Sequence, residues 1–189
     1  MKSQRYGQPE YGETHMELFL EVIKGFDFKG KKVLDVGAGE GWCGREFEKL
    51  GAEVTSIDLK PGNDKILKRD VENMSPLWTG MFDFVNSHGT IHHTKHPFRA
   101  IQEIYRVLKD DGYLLMTEAT LKDTFPIGFA NRYILQYIIL PFRDFDEWKN
   151  NGRMFFQREY DSWCRKVGFI KQMKRLHYSS GIYVKNGCF

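Results

Sequence analysis

The chain has 189 residues, of which 41% are hydrophobic and 15% aromatic, and its formal net charge is +3. A chain of this size can fill one sizeable core, so we expect a single domain over residues 1–189. No apolar stretch reaches the length of a membrane span, and the polar start Met1–Arg5 lacks the apolar segment of a signal peptide. We therefore expect a cytoplasmic protein without a membrane span.

The three cysteines support the same compartment. Cys43, Cys164 and Cys188 are odd in number and share no metal-binding or redox spacing. This pattern predicts free, structural thiols in a reducing environment.

Residues 1–30 are expected to contain an N-terminal helix over 13–25, because apolar side chains recur there at helical spacing. These side chains are Met16, Phe19, Leu20 and Ile23. The segment also contains Tyr6, Tyr11 and His15. It either forms a lid over a bound ligand or packs as an ordinary amphipathic helix.

Strand and helix patterns alternate from there to residue 118, which predicts an α/β fold with a mostly parallel sheet and helices on both faces. We expect strands at 32–36, 53–58, 66–69, 82–87 and 112–119, and helices at 41–50 and 97–108. Two further strands, at 169–175 and 180–185, bring the predicted sheet to seven strands.

The first predicted strand leads directly into a glycine-rich turn, Gly37-Ala38-Gly39-Glu40-Gly41. Such glycines let the backbone turn sharply and approach a ligand, and the helix that follows offers free N–H groups. A dinucleotide-binding motif would have a glycine at Trp42, so a nicotinamide-dependent oxidoreductase is disfavoured. Asp35, within the strand, would repel a pyrophosphate but suits a ligand that carries an ammonium group.

Asp35 followed by Gly-x-Gly-x-Gly resembles the first motif of the class I S-adenosylmethionine-dependent methyltransferases. Later segments resemble the same family in the same order: Val54–Leu59, Lys68–Val71, Phe82–His93 and Ala100–Gly112. The last two resemble its small-molecule, type 11-like branch. The resemblance spans about residues 30–120 and implies a Rossmann-like class I methyltransferase fold. It also implies S-adenosyl-L-methionine as cofactor and S-adenosyl-L-homocysteine as product.

Two departures from the family concern loops. The turn Asp110-Asp111-Gly112 replaces a common Pro-Gly-Gly, which affects loop detail only. Asn86-Ser87-His88-Gly89 is not the Asn-Pro-Pro-aromatic box of enzymes that methylate exocyclic amines or glutamine side chains. Those acceptors are therefore disfavoured.

The resemblance implies a cofactor site at the carboxyl ends of the strands. The amino-acid part of the cofactor would lie at Asp35 and the glycine turn, the ribose at Asp58, and the adenine near Leu59, Asp70 and Val71. The complete set of expected cofactor-binding residues is Asp35, Gly37, Ala38, Gly39, Gly41, Asp58, Leu59, Asp70, Val71, Ser87 and His88.

Four histidines, His88, His92, His93 and His96, lie within nine residues of one another. His92 and His96 have the spacing of two metal ligands on a helix, but Pro97 argues against a continuous helix, and no carboxylate or cysteine lies inside the cluster. We predict no metal. A neutral imidazole can accept a proton from a hydroxyl group, so we expect His93 first and His92 second as catalytic bases. The alternative is that both only orient the loop through backbone hydrogen bonds.

Residues 119–168 are expected to form a substrate-region insertion, followed by terminal strands over 169–189. The apolar stretch 125–142 predicts core packing, a homodimer contact or a lid over an apolar acceptor. Its stripe consists of Phe129, Tyr133, Tyr137 and Pro141. Residues 119–189 hold 12 Lys and Arg against 6 Asp and Glu, whereas residues 1–118 hold 16 against 19.

The basic excess after residue 118 favours an anionic acceptor, although a solvated basic face explains the same charge. We expect S-adenosylmethionine-dependent methyl transfer to a small, anionic metabolite, with O-methylation preferred because of the histidine loop. Two alternatives remain open. One is a nucleic-acid methyltransferase, and the other is a non-catalytic S-adenosylmethionine-binding partner subunit.

Overall fold

The computed structural model describes residues 16–17, 19–118, 120–121, 155–174 and 180–187. The strands are β1 (Lys32–Val36), β2 (Glu53–Asp58), β3 (Leu67–Lys68), β4 (Phe82–His88), β5 (Leu108–Thr117), β6 (Thr120–Leu121), β7 (Phe155–Phe156), β8 (Phe169–Lys174) and β9 (Ser180–Lys185). The helices are α1 (residues 16–17 and 19–23), α2 (Trp42–Lys49), α3 (Pro97–Val107) and α4 (Gln157–Val167). Short 3₁₀ helices occupy Pro76–Trp78 and Ile91–His93.

Seven of these strands form one sheet in the order β3, β2, β1, β4, β5, β9, β8. Strands β1 to β5 are parallel, and β9 runs antiparallel to both β5 and β8. The chain moves outward from β1 through β2 to β3 and then returns to β4 on the other side of β1. Ligands of open α/β sheets bind at the carboxyl ends of the strands at such a reversal, here between β1 and β4.

Helices cover both faces of the sheet, as the sequence predicts. On one face, α1 and α2 bury Phe19, Val22 and Phe47 against the sheet. On the other face, α3 and α4 bury residues that include Ile101 and Tyr160. Successive residues of a strand point to opposite faces. Leu34 and Val36 of β1 therefore pack into the core beneath α3 and α4, while Val33 packs into the core beneath α1 and α2. Asp35 points to the same face as Val33.

Several boundaries differ from those expected. Strand β3 is shorter than 66–69, and β5 extends over Leu108–Thr117 instead of 112–119. The early start of β5 includes the Asp-Asp-Gly turn, because a register shift between Phe82 and Phe84 accommodates those residues beside β4. Asp111 there has a left-handed φ of 61°.

The predicted insertion contains a core helix, α4, that the sequence analysis did not anticipate. Tyr160 and Cys164, one helical turn apart, are fully buried against the same core as α3. The short strands β6 and β7 pair in parallel, which brings residues 120–121 next to 155–156. Both ends of the intervening segment are therefore held beside the carboxyl end of β5.

Some expectations fall on residues outside the described part of the chain. They concern Tyr6, Tyr11, His15, Cys188 and the whole apolar stretch 125–142 with its proposed homodimer contact. Cys43 and Cys164 are free and buried. None of the helices in the described part is both long and apolar enough to cross a membrane.

Candidate active site

The glycine-rich turn joins β1 to α2 in a conformation that needs glycine. Gly37, Gly39 and Gly41 all have left-handed φ values, 67°, 54° and 77°. A Cβ atom at Gly37 would overlap the side chain of Thr90, whereas one at Gly39 would meet no atom within 4 Å. The turn is thus pressed against the loop after β4 at Gly37 and leaves open space at Gly39.

Asp58, at the end of β2, lies beside this turn. Its Oδ2 accepts the N–H of Gly39 at 2.9 Å, and its Oδ1 accepts the N–H of Lys60 at 2.7 Å. Each carboxylate oxygen accepts more than one hydrogen bond, so both retain capacity toward a ligand. The carboxylate is therefore available to a pair of hydroxyl groups at the edge of the turn.

Asp35 lies behind the turn and is 1% exposed. Its Oδ1 accepts a hydrogen bond from the Asn86 side chain at 2.8 Å. Burial raises the pKa of Asp35 from 3.8 to about 7, against the opposing effect of the Asn86 hydrogen bond. The side chain is packed against the start of α2, since a Cβ atom at Gly44 would lie 3.6 Å from its Oδ2.

The expected adenine residues follow the ends of β2 and β3. Leu59 is 59% exposed and Val71 is buried. The N–H of Arg69 donates to the carbonyl of Asp58 at 2.9 Å, which holds Asp70 close to the expected ribose position. The Oδ1 of Asp70 accepts the N–H of Glu72 at 2.8 Å, which fixes the carboxylate in a local turn.

The loop after β4 is organised around a residue that the sequence analysis missed, Glu118. This residue follows β5 and is 2% exposed. Its carboxylate accepts hydrogen bonds from the backbone N–H groups of Thr90 and Ile91 and from the hydroxyl of Ser87, at 2.9–3.1 Å. Its Oε2 also lies 2.6 Å from Nδ1 of His92.

Burial by itself would raise the pKa of Glu118. The hydrogen bond and charge of His92, together with the two backbone N–H groups, outweigh burial and lower the pKa below its ordinary value of 4.5. Glu118 is therefore an ionised carboxylate in the interior. Its only sequence signal is a charged residue two positions after the apolar strand residues Leu114–Met116.

The two central histidines of the loop have different environments. The side chain of His92 is 9% exposed, and its Nδ1 faces Glu118. In the described part of the chain, no hydrogen bond reaches its Nε2. His93 packs against His92 with ring centroids 4.0 Å apart. Partial burial, with the neighbouring His92, lowers the pKa of His93 from 6.5 to about 4.

The side chains of Ser87 and His88, both expected to contact the cofactor, have other partners. Ser87 is fully buried and bonded to Glu118. The ring of His88 packs edge-on against Trp42, with centroids 5.1 Å apart, on the α1 face of the sheet. Contact of either residue with the cofactor therefore stays a prediction.

His96 precedes α3 and faces Glu72, with its Nδ1 2.8 Å from Oε2. His92 and His96 thus turn toward two different carboxylates, although their spacing in sequence suggested a shared ligand. No group of three or more His, Cys, Asp or Glu residues within the described ranges is arranged to hold a metal ion.

Tyr160 of α4 adds a buried hydroxyl near Glu118. The residue is 0% exposed, and burial together with the negative charge of Glu118 raises its pKa. The hydroxyl has no hydrogen-bond partner among the described residues. Polar groups from β4, β5 and α4 therefore converge at one end of the sheet.

Comparison with known proteins finds a family model and relatives that match this region. Residues 34–116 match the sequence model of a family described as methyltransferase domain. Over 118 residues the chain is 34% identical to the ubiquinone biosynthesis O-methyltransferase of Xanthomonas oryzae pv. oryzae (strain PXO99A). That alignment covers 55% of this chain and 48% of the relative, so the chain spans about half the length of that protein.

A second relative aligns with the chain over a larger share of its length. The chain is 26% identical over 180 residues to the ubiquinone biosynthesis O-methyltransferase of Nitrosococcus oceani, across 86% of this chain and 74% of the relative. Among solved structures, it resembles the 1,6-didemethyltoxoflavin-N1-methyltransferase of Burkholderia thailandensis, with a TM-score of 0.67 and 17% identity. That likeness covers 97% of this chain and 84% of the other, whose structure contains bound S-adenosylhomocysteine. The fold is thus the Rossmann-like fold of class I methyltransferases.

Proposed function

We propose that this chain, a member of the methyltransferase-domain family over residues 34–116, transfers a methyl group from S-adenosyl-L-methionine to a hydroxyl oxygen of a small metabolite. The observation that carries the choice of oxygen is the buried pair of His92 and Glu118 at the carboxyl ends of β4 and β5. The two relatives named as O-methyltransferases support the same choice.

The glycine turn and Asp58 are the proposed cofactor site. The open space beside Gly39 leaves room for the amino-acid part of the cofactor, and the unused acceptor capacity of Asp58 suits the ribose hydroxyls. Asp70 would accept a hydrogen bond from the adenine amino group, next to Leu59 and Val71. When bound, the cofactor supplies a methyl group activated by a sulfonium leaving group.

Asp35 and Gly37 contribute from behind this site. Asp35 is packed against the start of α2, so its influence on an ammonium group would pass through the turn rather than through an open cleft. Gly37 allows the turn to press against Thr90, which joins the cofactor turn to the histidine loop. Ala38 and Gly41 complete the turn through backbone contacts, with the N–H of Gly41 donating to the carbonyl of Ala38 at 2.7 Å.

His92 is the proposed proton acceptor, ahead of His93. An ionised carboxylate at Nδ1 favours the tautomer that carries the proton on Nδ1, which leaves Nε2 as an acceptor. The same carboxylate stabilises the positive charge that forms when Nε2 takes a proton from the acceptor hydroxyl. The pKa of His93, about 4, makes that residue a weak base at neutral pH.

An anionic group on the acceptor is part of the proposal, on the basis of charge. Residues 119–189 carry twice as many Lys and Arg as Asp and Glu, 12 against 6. Arg158 of α4 is exposed, and its guanidinium lies 4.6 Å from the ring centre of Phe156 in β7. Strand β7 pairs with β6, which begins two residues after Glu118, so Arg158 is the proposed contact for such an anionic group.

Calorimetric titration with S-adenosylhomocysteine and, separately, with NAD tests the cofactor. We expect micromolar binding of the first ligand only, lost in Asp58→Ala and kept in Asp64→Ala, which changes an exposed carboxylate six residues away. Binding of NAD alone would move the chain to the oxidoreductases. Binding of S-adenosylhomocysteine in the absence of turnover on any acceptor would favour a non-catalytic partner subunit.

Incubation with methyl-labelled cofactor and a panel of hydroxylated, aminated and nucleic-acid acceptors tests the reaction. We expect label on oxygen of a small hydroxylated acceptor, with little dependence on salt. Label on nucleic acid, with binding that weakens steeply as salt rises, would support the nucleic-acid alternative instead.

A further inference from the structure

Two loops flank the proposed site from strands that are not neighbours. The adenine loop, residues 69–75, follows β3, and the histidine loop, residues 88–96, follows β4. Strands β2 and β1 lie between them in the sheet. A direct bond between the two loops therefore spans the carboxyl ends of two intervening strands.

Glu72 makes that bond with both carboxylate oxygens. Its Oε1 accepts the N–H of His96 at 2.9 Å, and its Oε2 lies 2.8 Å from Nδ1 of the same residue. Glu72 is 9% exposed. Burial would raise the pKa of Glu72, but the two contacts with His96 outweigh burial and lower it, so the carboxylate is ionised at neutral pH.

The backbone N–H and carbonyl of Glu72 are also both hydrogen-bonded. Its N–H donates to Oδ1 of Asp70 at 2.8 Å, and its carbonyl accepts Nε of Arg99 at 2.9 Å. The first of these bonds holds the carboxylate of Asp70 in one orientation. The position of Glu72, fixed from the histidine loop, thus determines where the Asp70 carboxylate points.

We propose that Glu72 is a positioning residue for adenine recognition. Its bond to His96 of the histidine loop fixes Glu72, and Glu72 in turn orients the carboxylate of Asp70. The inference rests on the proposed function, because it requires an adenine-bearing cofactor at Asp70. It adds that a residue of the acceptor-side loop, His96, contributes to selectivity for the base of the cofactor.

The adenine loop is also attached to α3 at a second point. This second attachment allows the orientation of Asp70 to be distinguished from general anchoring of the loop. The N–H of Met74 donates to Glu103 of α3 at 2.8 Å, and Arg106 donates to the carbonyls of Met74 and Ser75 at 3.3 Å. These bonds hold the loop against α3 without contacting Asp70 or Glu72. Glu103 is therefore a matched control, since its removal loosens the same loop at a different point.

The test compares two ligands that differ at the group Asp70 would contact. S-Inosylhomocysteine has a carbonyl where S-adenosylhomocysteine has the adenine amino group. Calorimetry on the wild type is expected to show at least tenfold preference for S-adenosylhomocysteine. Glu72→Ala and His96→Ala are expected to reduce that preference at least fivefold, while Glu72→Gln, which can still bond to His96, retains most of it.

Glu103→Ala is expected to lower the unfolding temperature and leave the preference unchanged. An unchanged preference in folded Glu72→Ala, or an equal loss in Glu103→Ala, would overturn the inference. If Glu72→Ala does not fold, His96→Ala, which removes an exposed ring, decides by the same ratio. A wild type that binds S-adenosylhomocysteine without preference overturns this inference alone. A wild type that does not bind it overturns the proposed function too.

Discussion

His92 and Glu118 form a buried pair, with Nδ1 2.6 Å from Oε2, although 26 residues separate them in the sequence. Glu118 also accepts backbone N–H groups from Thr90 and Ile91, so one carboxylate fixes both the path of the histidine loop and the orientation of the His92 ring. An ionised group in the interior is stable only with such a set of partners. The pair therefore fixes the orientation of the His92 ring, with Nδ1 toward Glu118 and Nε2 away from it.

Glu118→Gln is expected to lower kcat at least tenfold, because the carboxylate charge that stabilises the imidazolium formed at His92 during proton transfer is lost. The affinity for S-adenosylhomocysteine should change little. The measurements are kcat at saturating cofactor and calorimetry with S-adenosylhomocysteine. Glu103→Gln, a carboxylate change outside the site, should leave kcat unchanged. An undiminished kcat in folded Glu118→Gln would mean that Glu118 only supports the fold.

Replacing the two central histidines one at a time distinguishes their roles. His92→Ala is expected to reduce kcat by about 10² to 10⁴ fold, the usual contribution of a general base, with little change in the affinity for S-adenosylhomocysteine. His93→Ala should reduce kcat by less than tenfold, because the low pKa of His93 already makes it a poor base. Single-turnover rates on the acceptor that the labelling experiment identifies provide the measurement. The reverse order of effects would restore His93 as the proton acceptor.

The sequence predicts the fold and the sharp turn at the glycines well because both are encoded locally. The glycine turn and Asp58 lie at the ends of neighbouring parallel strands, and the register of β1 with β2 brings them together. Alternating strand and helix patterns likewise predict the sheet. Even Asp70, two residues beyond the two-residue strand β3, lies within this local scheme.

The groups that orient the histidine loop could not be predicted in this way. Glu118 and Glu72 lie 26 and 24 residues from the histidines they contact, and neither belongs to a motif. Which strand ends meet depends on sheet order, and which carboxylate meets which histidine depends on loop paths. The sequence analysis ranked His93 ahead of His92 without this information. The two residues are neighbours with the same side chain, so the sequence alone could not distinguish their environments.

Alanine substitutions at two glycines of the turn should separate folding from binding. Gly37→Ala adds left-handed strain and an overlap with Thr90, which together cost about 2 to 5 kcal/mol of stability. Gly39→Ala adds strain of about 1 to 2 kcal/mol but meets no neighbouring atom within 4 Å. Thermal unfolding and calorimetry with S-adenosylhomocysteine report on the two effects.

Gly39→Ala is expected to stay folded and lose affinity, since its methyl group enters the space proposed for the cofactor. Gly37→Ala is expected to lower the unfolding temperature by about 5 to 15 °C. Gly30→Ala, which also has a left-handed φ, 68°, and open surroundings, is the control for strain alone. Undiminished affinity in Gly39→Ala would contradict the proposed location of the cofactor.

Asp35 makes the stability of the protein depend on pH in the opposite direction from an ordinary salt-bridged carboxylate. Its pKa is raised from 3.8 to about 7, so between these values the folded state holds a proton that the unfolded state has lost. Stability therefore falls as pH rises through this range, by up to about 4 kcal/mol for a shift of this size. Asp35→Asn imitates the protonated form and still accepts the hydrogen bond from Asn86.

The expected result is that Asp35→Asn exceeds the free energy of unfolding of the wild type by about 1 to 2 kcal/mol at pH 5 and by about 4 kcal/mol at pH 8. Urea unfolding at both pH values gives the free energies of unfolding. Subtracting the wild-type value from that of the variant at each pH cancels the contributions of the histidines. Asp64→Asn, at an exposed position, should show no such difference between the two pH values. If the stabilities of Asp35→Asn and the wild type differ equally at pH 5 and pH 8, the Asp35 carboxyl is ionised at both, and its burial is compensated by donors stronger than Asn86.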